Sequence, residues 1–179
     1  MCEQRIATLK SKIGMDDQFA HCAIEGALHA LSDRENPLRL NFFSTAMRIL
    51  FEHMMDTSSP EDRVVKAPWF SAERDGGKPT RWQRVVFAIQ GGLSDVFVKD
   101  ELKIDLPPPR TRLLDAVNEL SKHVHGRGNT IIRDQSAQHD VIERTMGAME
   151  AFVDSLHACR NAVLAPIAEA LDRAAWMHF

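Results

Sequence analysis

The sequence predicts an all-α protein, a bundle of about five to seven helices folded as a single domain over residues 1–179. Three observations carry that expectation. Apolar residues recur at three- and four-residue steps from one end of the chain to the other. Tyr is absent and aromatic residues make up only 7%, which disfavours the aromatic-rich strands of a β-sandwich. Helix-start signatures, Asn36-Pro37 and Thr80 with Gln83, stand where periodic stretches begin.

Taken in order, Ile6, Leu9 and Ile13 set a first helix, interrupted at Gly14. Phe19, Cys22, Ala23, Ala27, Ala30 and Leu31 form the stripe of a second segment, which ends near Ser32-Asp33. Asn36-Pro37 reads as cap and first helical residue of a third helix. That helix carries Phe43, Met47, Leu50 and Met54, flanked by Phe42, Ala46 and Ile49, and ends near Asp56. Residues 57–80 are the least regular stretch, and the Trp69-Phe70 pair is expected to pin this loop to the core. Thr80-Arg81-Trp82-Gln83 is a capping box opening a helix through Val85, Val86 and Ile89, which Gly91-Gly92 breaks. Ser94 then caps a short helix carrying Val96, Phe97 and Leu102.

Pro107-Pro108-Pro109 reads as a stiff connector. A helix follows from Arg110, with Leu113, Leu114, Val117, Leu120 and Val124 inside and Gly126 as its stop. The polar segment 127–135 leads to a long amphipathic run, Val141, Thr145, Met149, Phe152, Leu156, Cys159 and Val163, which Pro166 is expected to kink or interrupt. The last residues, Ala174 to Phe179, are apolar and carry no stop signal, so the sequence reads as the N-terminal part of a longer protein.

Charge and motifs narrow the function. Lys and Arg total 22 against 25 Asp and Glu, a net charge of −3, which excludes blanket phosphate neutralisation but leaves room for a local basic patch. No apolar run approaches the ~18 residues of a membrane span, and the first residues lack a signal-peptide core, so a cytoplasmic location is expected. Cys2, Cys22 and Cys159 are odd in number with no C-x-x-C pair; Cys22 and Cys159 are expected as small core residues. His123 and His125 lie two positions apart on a helix and point to different faces, and no H-E-x-x-H occurs, so neither a metal site nor a cofactor is expected. No Walker loop, nucleophile elbow or dinucleotide fingerprint is present. Asp95, Asp100, Glu101 and Lys103 have the composition of a magnesium-nuclease site, yet they fall in a helical segment where surface solvation explains them.

The candidate catalytic pair is Arg48 and His53 on the third helix. Five residues of helix separate them by about 140° and ~7.5 Å of rise. Two such helices facing each other across a two-fold axis would bring two Arg and two His into one cleft. The spacing alone is weak evidence, because Arg173 and His178 repeat it. Arg48 also has Glu52 at i+4, a surface pair that stabilises by ~0.3 kcal/mol. His123, His125 and Arg127 form a cationic helix end suited to the dipole or to backbone phosphates.

Two segments together resemble a known family. One is Arg34-Glu35-Asn36-Pro37-Leu38-Arg39-Leu40-Asn41, running into Met47-Arg48 and His53. The other runs from Pro68-Trp69-Phe70 through Gly77-Lys78-Pro79-Thr80-Arg81-Trp82-Gln83 to Ile89-Gln90-Gly91-Gly92-Leu93-Ser94. With Leu120-Ser121-Lys122-His123-Val124-His125, they resemble the N-terminal region of predicted pPIWI-associating nuclease proteins of bacteria, over residues 34–127. The resemblance implies a place in prokaryotic defence, nucleic acid as substrate and defence-system partner proteins. The Arg-x4-His helix is also similar to the HEPN superfamily, typically dimeric, metal-independent endoribonucleases. That likeness implies RNA, with DNA as the lesser alternative, cut at a homodimeric cleft, with Arg48 on the phosphate and His53 moving protons. HEPN motifs commonly place a polar residue after the Arg; here it is Ile49. The rival expectation is a non-catalytic helical dimerisation or sensing module for an effector domain beyond residue 179.

Overall fold

The computed structural model describes residues 2–73, 76–105, 107–124 and 131–176. Among these residues there are eight helices and no strand: α1 (Cys2–Lys12), α2 (Gln18–Ser32), α3 (Arg39–Ser58), α4 (Glu61–Val64), α5 (Arg81–Gln90), α6 (Asp95–Asp100), α7 (Pro107–Val124) and α8 (Gln135–Trp176). The all-α expectation holds. The count is higher than expected because α4, with 4 residues, is about one turn and too short to register as periodicity. No helix among the described residues is long and apolar enough to cross a membrane.

The bundle is built around α3. It packs most extensively on α2 and next on α7; α7 packs on α8, and α8 also covers α1 and α5. Phe43 and Leu50 of α3, Leu113 of α7 and Phe152 of α8 are wholly buried in one core with Ile24, Val85 and Met146. The buried face of α2 is Ala20, Ile24 and Ala27. It is rotated from the stripe read in sequence, so Cys22 lies on the outside, exposed, while Cys159 is buried as expected. In α6 the buried residue is Val98; Val96 and Phe97 remain exposed.

Local chemistry sets the helix boundaries. The Asn36 side chain accepts from the Leu38 N–H at 2.9 Å, closing a turn ahead of the helix, so α3 opens at Arg39 rather than at Pro37. The capping box on α5 is formed: the Thr80 hydroxyl accepts from the Gln83 N–H, and Gln83 Oε1 accepts from the Thr80 N–H. Gln83 also donates to the Ser71 carbonyl at 2.7 Å, and Trp69 Nε1 donates to the Gly91 carbonyl at 3.0 Å, which docks the loop onto both ends of α5. Gly91 has φ of 61°, a left-handed turn that ends α5.

The triple-proline expectation is corrected, and so is the expected interruption at Pro166. Pro107 to Pro109 form the first turn of α7 instead of a connector. First-turn N–H groups have no intrahelical acceptor, so their absence from proline costs nothing there. α8 runs unbroken through Pro166. The expected stop at Gly126 lies outside the described residues.

Arg110, 2% exposed, ties the second half of the bundle together by donating to the Gln90 side chain and, at 3.1 Å, to Asp95. Replacing Phe43 with Ala removes a fully buried ring of α3 from the core. It is expected to cost about 3–5 kcal/mol, read as a lower urea midpoint with unchanged m-value.

Candidate active site

Nine of the 20 residues of α3 are buried, and they cover about half of its circumference. The exposed half presents Phe42 and Ile49, 52% and 42% exposed. His53 stands beside this strip, whereas Arg48 lies about 100° round the helix from Ile49, at the edge of the buried face, with Thr45, Glu52 and Asp56 between.

A different carboxylate holds each of the two. Arg48 Nε donates to Glu52 Oε1 at 2.9 Å, one turn along α3. His53 Nε2 lies 2.9 Å and 3.0 Å from the two carboxylate oxygens of Asp17, and its ring packs on Phe19 with centroids 4.7 Å apart. Within one protomer, Arg48 and His53 are not brought onto a common point.

Asp17 serves two helices. It is the N-cap of α2, accepting from the Ala20 N–H at 3.0 Å, and it grips His53 on α3. Burial would raise its carboxyl, but the Ala20 N–H, the His53 hydrogen bond and the charges of His53 and His21 outweigh that and hold it below the usual carboxylate range. A carboxylate only accepts, so the hydrogen between Asp17 and His53 belongs to Nε2, and the neutral ring keeps Nδ1 as its accepting nitrogen. An imidazole oriented by a carboxylate in this way is equipped for proton transfer.

His123 lies in the last turn of α7, as expected, but is only 6% exposed, with Nε2 3.4 Å from Glu119 Oε1. Its backbone carbonyl accepts from the buried Asn41 side chain, which joins α3 to the end of α7. His125 and Arg127 lie outside the described residues. Among the described residues no three His, Cys, Asp or Glu side chains are grouped to hold a metal ion.

Asp17 is the residue that sequence reasoning missed. Its capping position ahead of α2 is a visible signal, but nothing in the sequence ties it to a histidine 36 positions away.

Because the carboxyl of Asp17 is lowered on folding, its contribution is complete above the unfolded value of about 4 and is lost as pH falls through the folded value. Asp17→Asn keeps a good N-cap and removes the charge. The variant is expected to be less stable than wild type at pH 7 by about 1 kcal/mol or less. Urea titrations across pH should show the gap closing below pH ~4.

Comparison with known proteins completes the description. No curated protein and no solved structure matches the chain. The family profile described as predicted pPIWI-associating nuclease matches residues 12–152, a span that includes Asp17, the whole of α3 and His123. Matched over that length, the chain belongs to the predicted pPIWI-associating nuclease family.

Proposed function

We propose that this chain is the RNA-cleaving domain of a defence-associated nuclease, a HEPN-like endoribonuclease that works without metal at a cleft between two copies. The observation that carries the reading is His53 held by the carboxylate of Asp17 at the border of an exposed strip. Family membership supports nucleic acid as substrate. Phe42 and Ile49 support the two-copy cleft, because a second α3 seated on them would bury their apolar surface and place its own Arg48 and His53 beside the first pair.

In this cleft, His53 Nδ1 takes the proton of a ribose 2′-hydroxyl as O2′ attacks the adjacent phosphorus. The P–O5′ bond breaks, and the partner copy's histidine, on the opposite side of the in-line displacement, protonates the leaving oxygen. The products are a 2′,3′-cyclic phosphate and a 5′-hydroxyl. Arg48 stabilises the charge that builds on the non-bridging oxygens. It must leave Glu52 to do so, which is cheap: an exposed i,i+4 pair stabilises by ~0.3–0.5 kcal/mol, against roughly 1.5–3 kcal/mol for a charge-assisted contact. Further defence-system proteins would supply the trigger.

One observation favours the rival reading, a dimerisation or sensing module that cuts nothing. Arg48 points its Nε at Glu52, and within one chain it does not meet His53 at a common point.

Labelled single-stranded RNA incubated with the purified chain in EDTA decides between them. Cleavage leaving cyclic phosphate ends, and reduced about 10²–10⁴-fold by either Arg48→Ala or His53→Ala, is the expected result. A folded wild-type chain that leaves the RNA intact would establish the non-catalytic role.

A further inference from the structure

A groove of about 860 Å³ lies between α7 and α8, with α1 along its rim. Arg5 of α1, Arg112 and Lys122 of α7 and Arg144 of α8 line it, so three helices contribute its four cations. Arg112 and Lys122 sit ten residues apart on α7, about 15 Å along the axis. That is a length of strand, and more than a single phosphate can span.

The cations are not equivalent. Lys122 is paired with Glu119 at 2.6 Å. Arg5 is fixed, with Nη1 donating to the Glu143 carbonyl at 3.1 Å and lying 3.1 Å from its carboxylate, while its Nη2 and Nε have no partner among the described residues. Arg112 has no ion pair or hydrogen bond among the described residues, and Arg144 donates only to a backbone carbonyl of its own helix.

The floor of the groove makes room for Arg5. Gly147 lies in the interior of α8, where glycine disfavours the helix, and a Cβ at that position would stand 3.3 Å from Arg5 Nη1. A glycine there keeps the fixed guanidinium in the groove at the expense of helix propensity.

We propose that this groove binds a single strand of nucleic acid through successive phosphodiesters. Arg112 and Arg144 supply the free charges and Arg5 supplies a preset fork. The choice of a nucleic-acid ligand rests on the nuclease reading above, while the groove and its charges are independent of the Asp17–His53 site. The interleaved acids, Asp115, Glu119 and Glu143, limit the net charge, so the expected affinity is modest and salt-sensitive.

The test uses the full chain and labelled 12-residue strands of 2′-O-methyl RNA and of DNA, neither of which offers a 2′-hydroxyl nucleophile, with a glutamate-rich peptide as control. Two free cations predict a log–log salt slope of roughly −1.4, a loss of about sevenfold between 50 and 200 mM salt. In fluorescence anisotropy, the double variant Arg112→Gln/Arg144→Gln should weaken binding at least tenfold at 50 mM salt and flatten the slope, with its helical circular dichroism unchanged. Gly147→Ala should weaken binding in the same direction while leaving the fold intact.

Strand binding by the double variant equal to wild type would overturn the proposal, as would equal capture of the acidic peptide. Strand binding lost on charge removal, in a chain that cuts no RNA, would uphold the groove and remove the catalytic reading. RNA cleavage with unchanged KM in the double variant would do the reverse.

Discussion

α3 must bury half its circumference against α2 and α7 at once, and the rest of the bundle follows from that requirement. Each large apolar side chain it buries stabilises by roughly 1.5–3 kcal/mol, more than an exposed ion pair such as Arg48–Glu52 on its surface. The position of α3 is therefore fixed by Phe43, Met47, Leu50 and Met54, and the polar groups take what remains. What remains is the outward half of the helix, with His53 beside its apolar strip and Arg48 at the edge of the buried face. The core thus decides where the candidate site can be, without deciding what it does.

The Asp17–His53 contact shows how closely structural and chemical roles can coincide. The same carboxylate ends a helix, bridges two helices and orients an imidazole. A contact serving only to hold α2 on α3 would gain little from a histidine, since the packing of Ala20, Ile24 and Ala27 already joins those helices. In the α1–α7–α8 groove, likewise, a half-buried glycine sits against an anchored arginine.

The fold class and the starts of α5 and α6 were legible because they depend on near neighbours. Thr80 and Gln83 announce α5 from three residues apart, and Ser94 caps α6 as its spacing implied. The Trp69 anchor was legible too, since a ring pair in an irregular loop has few other places to go. Errors came where one helix face had to be chosen from a degenerate pattern. Phe19 and Cys22 match a helical stripe as well as Ala20 and Ile24 do, and only packing against α3 selects between them. The triple proline misled for a related reason: its chemistry permits either a connector or a first turn, and α7 takes the turn. At the site, Arg48 and His53 could be nominated from spacing, but Asp17 and the Arg5 groove depend on tertiary approach, which leaves no local trace.

The last helix passes through two solvent regimes. Up to Cys159, α8 is covered by α1, α5 and α7; from Arg160 onward Leu164, Ile167 and Leu171 stand more than half exposed. Pro166 has no N–H to return to the carbonyl of Ala162, so the ladder lacks a rung within the uncovered stretch. Amide hydrogens of the covered and the uncovered parts are governed by different events. Those up to Cys159 open when the bundle does, and those beyond it open by fraying of uncovered turns. One continuous helix is therefore two units of exchange, divided where its neighbours let it go.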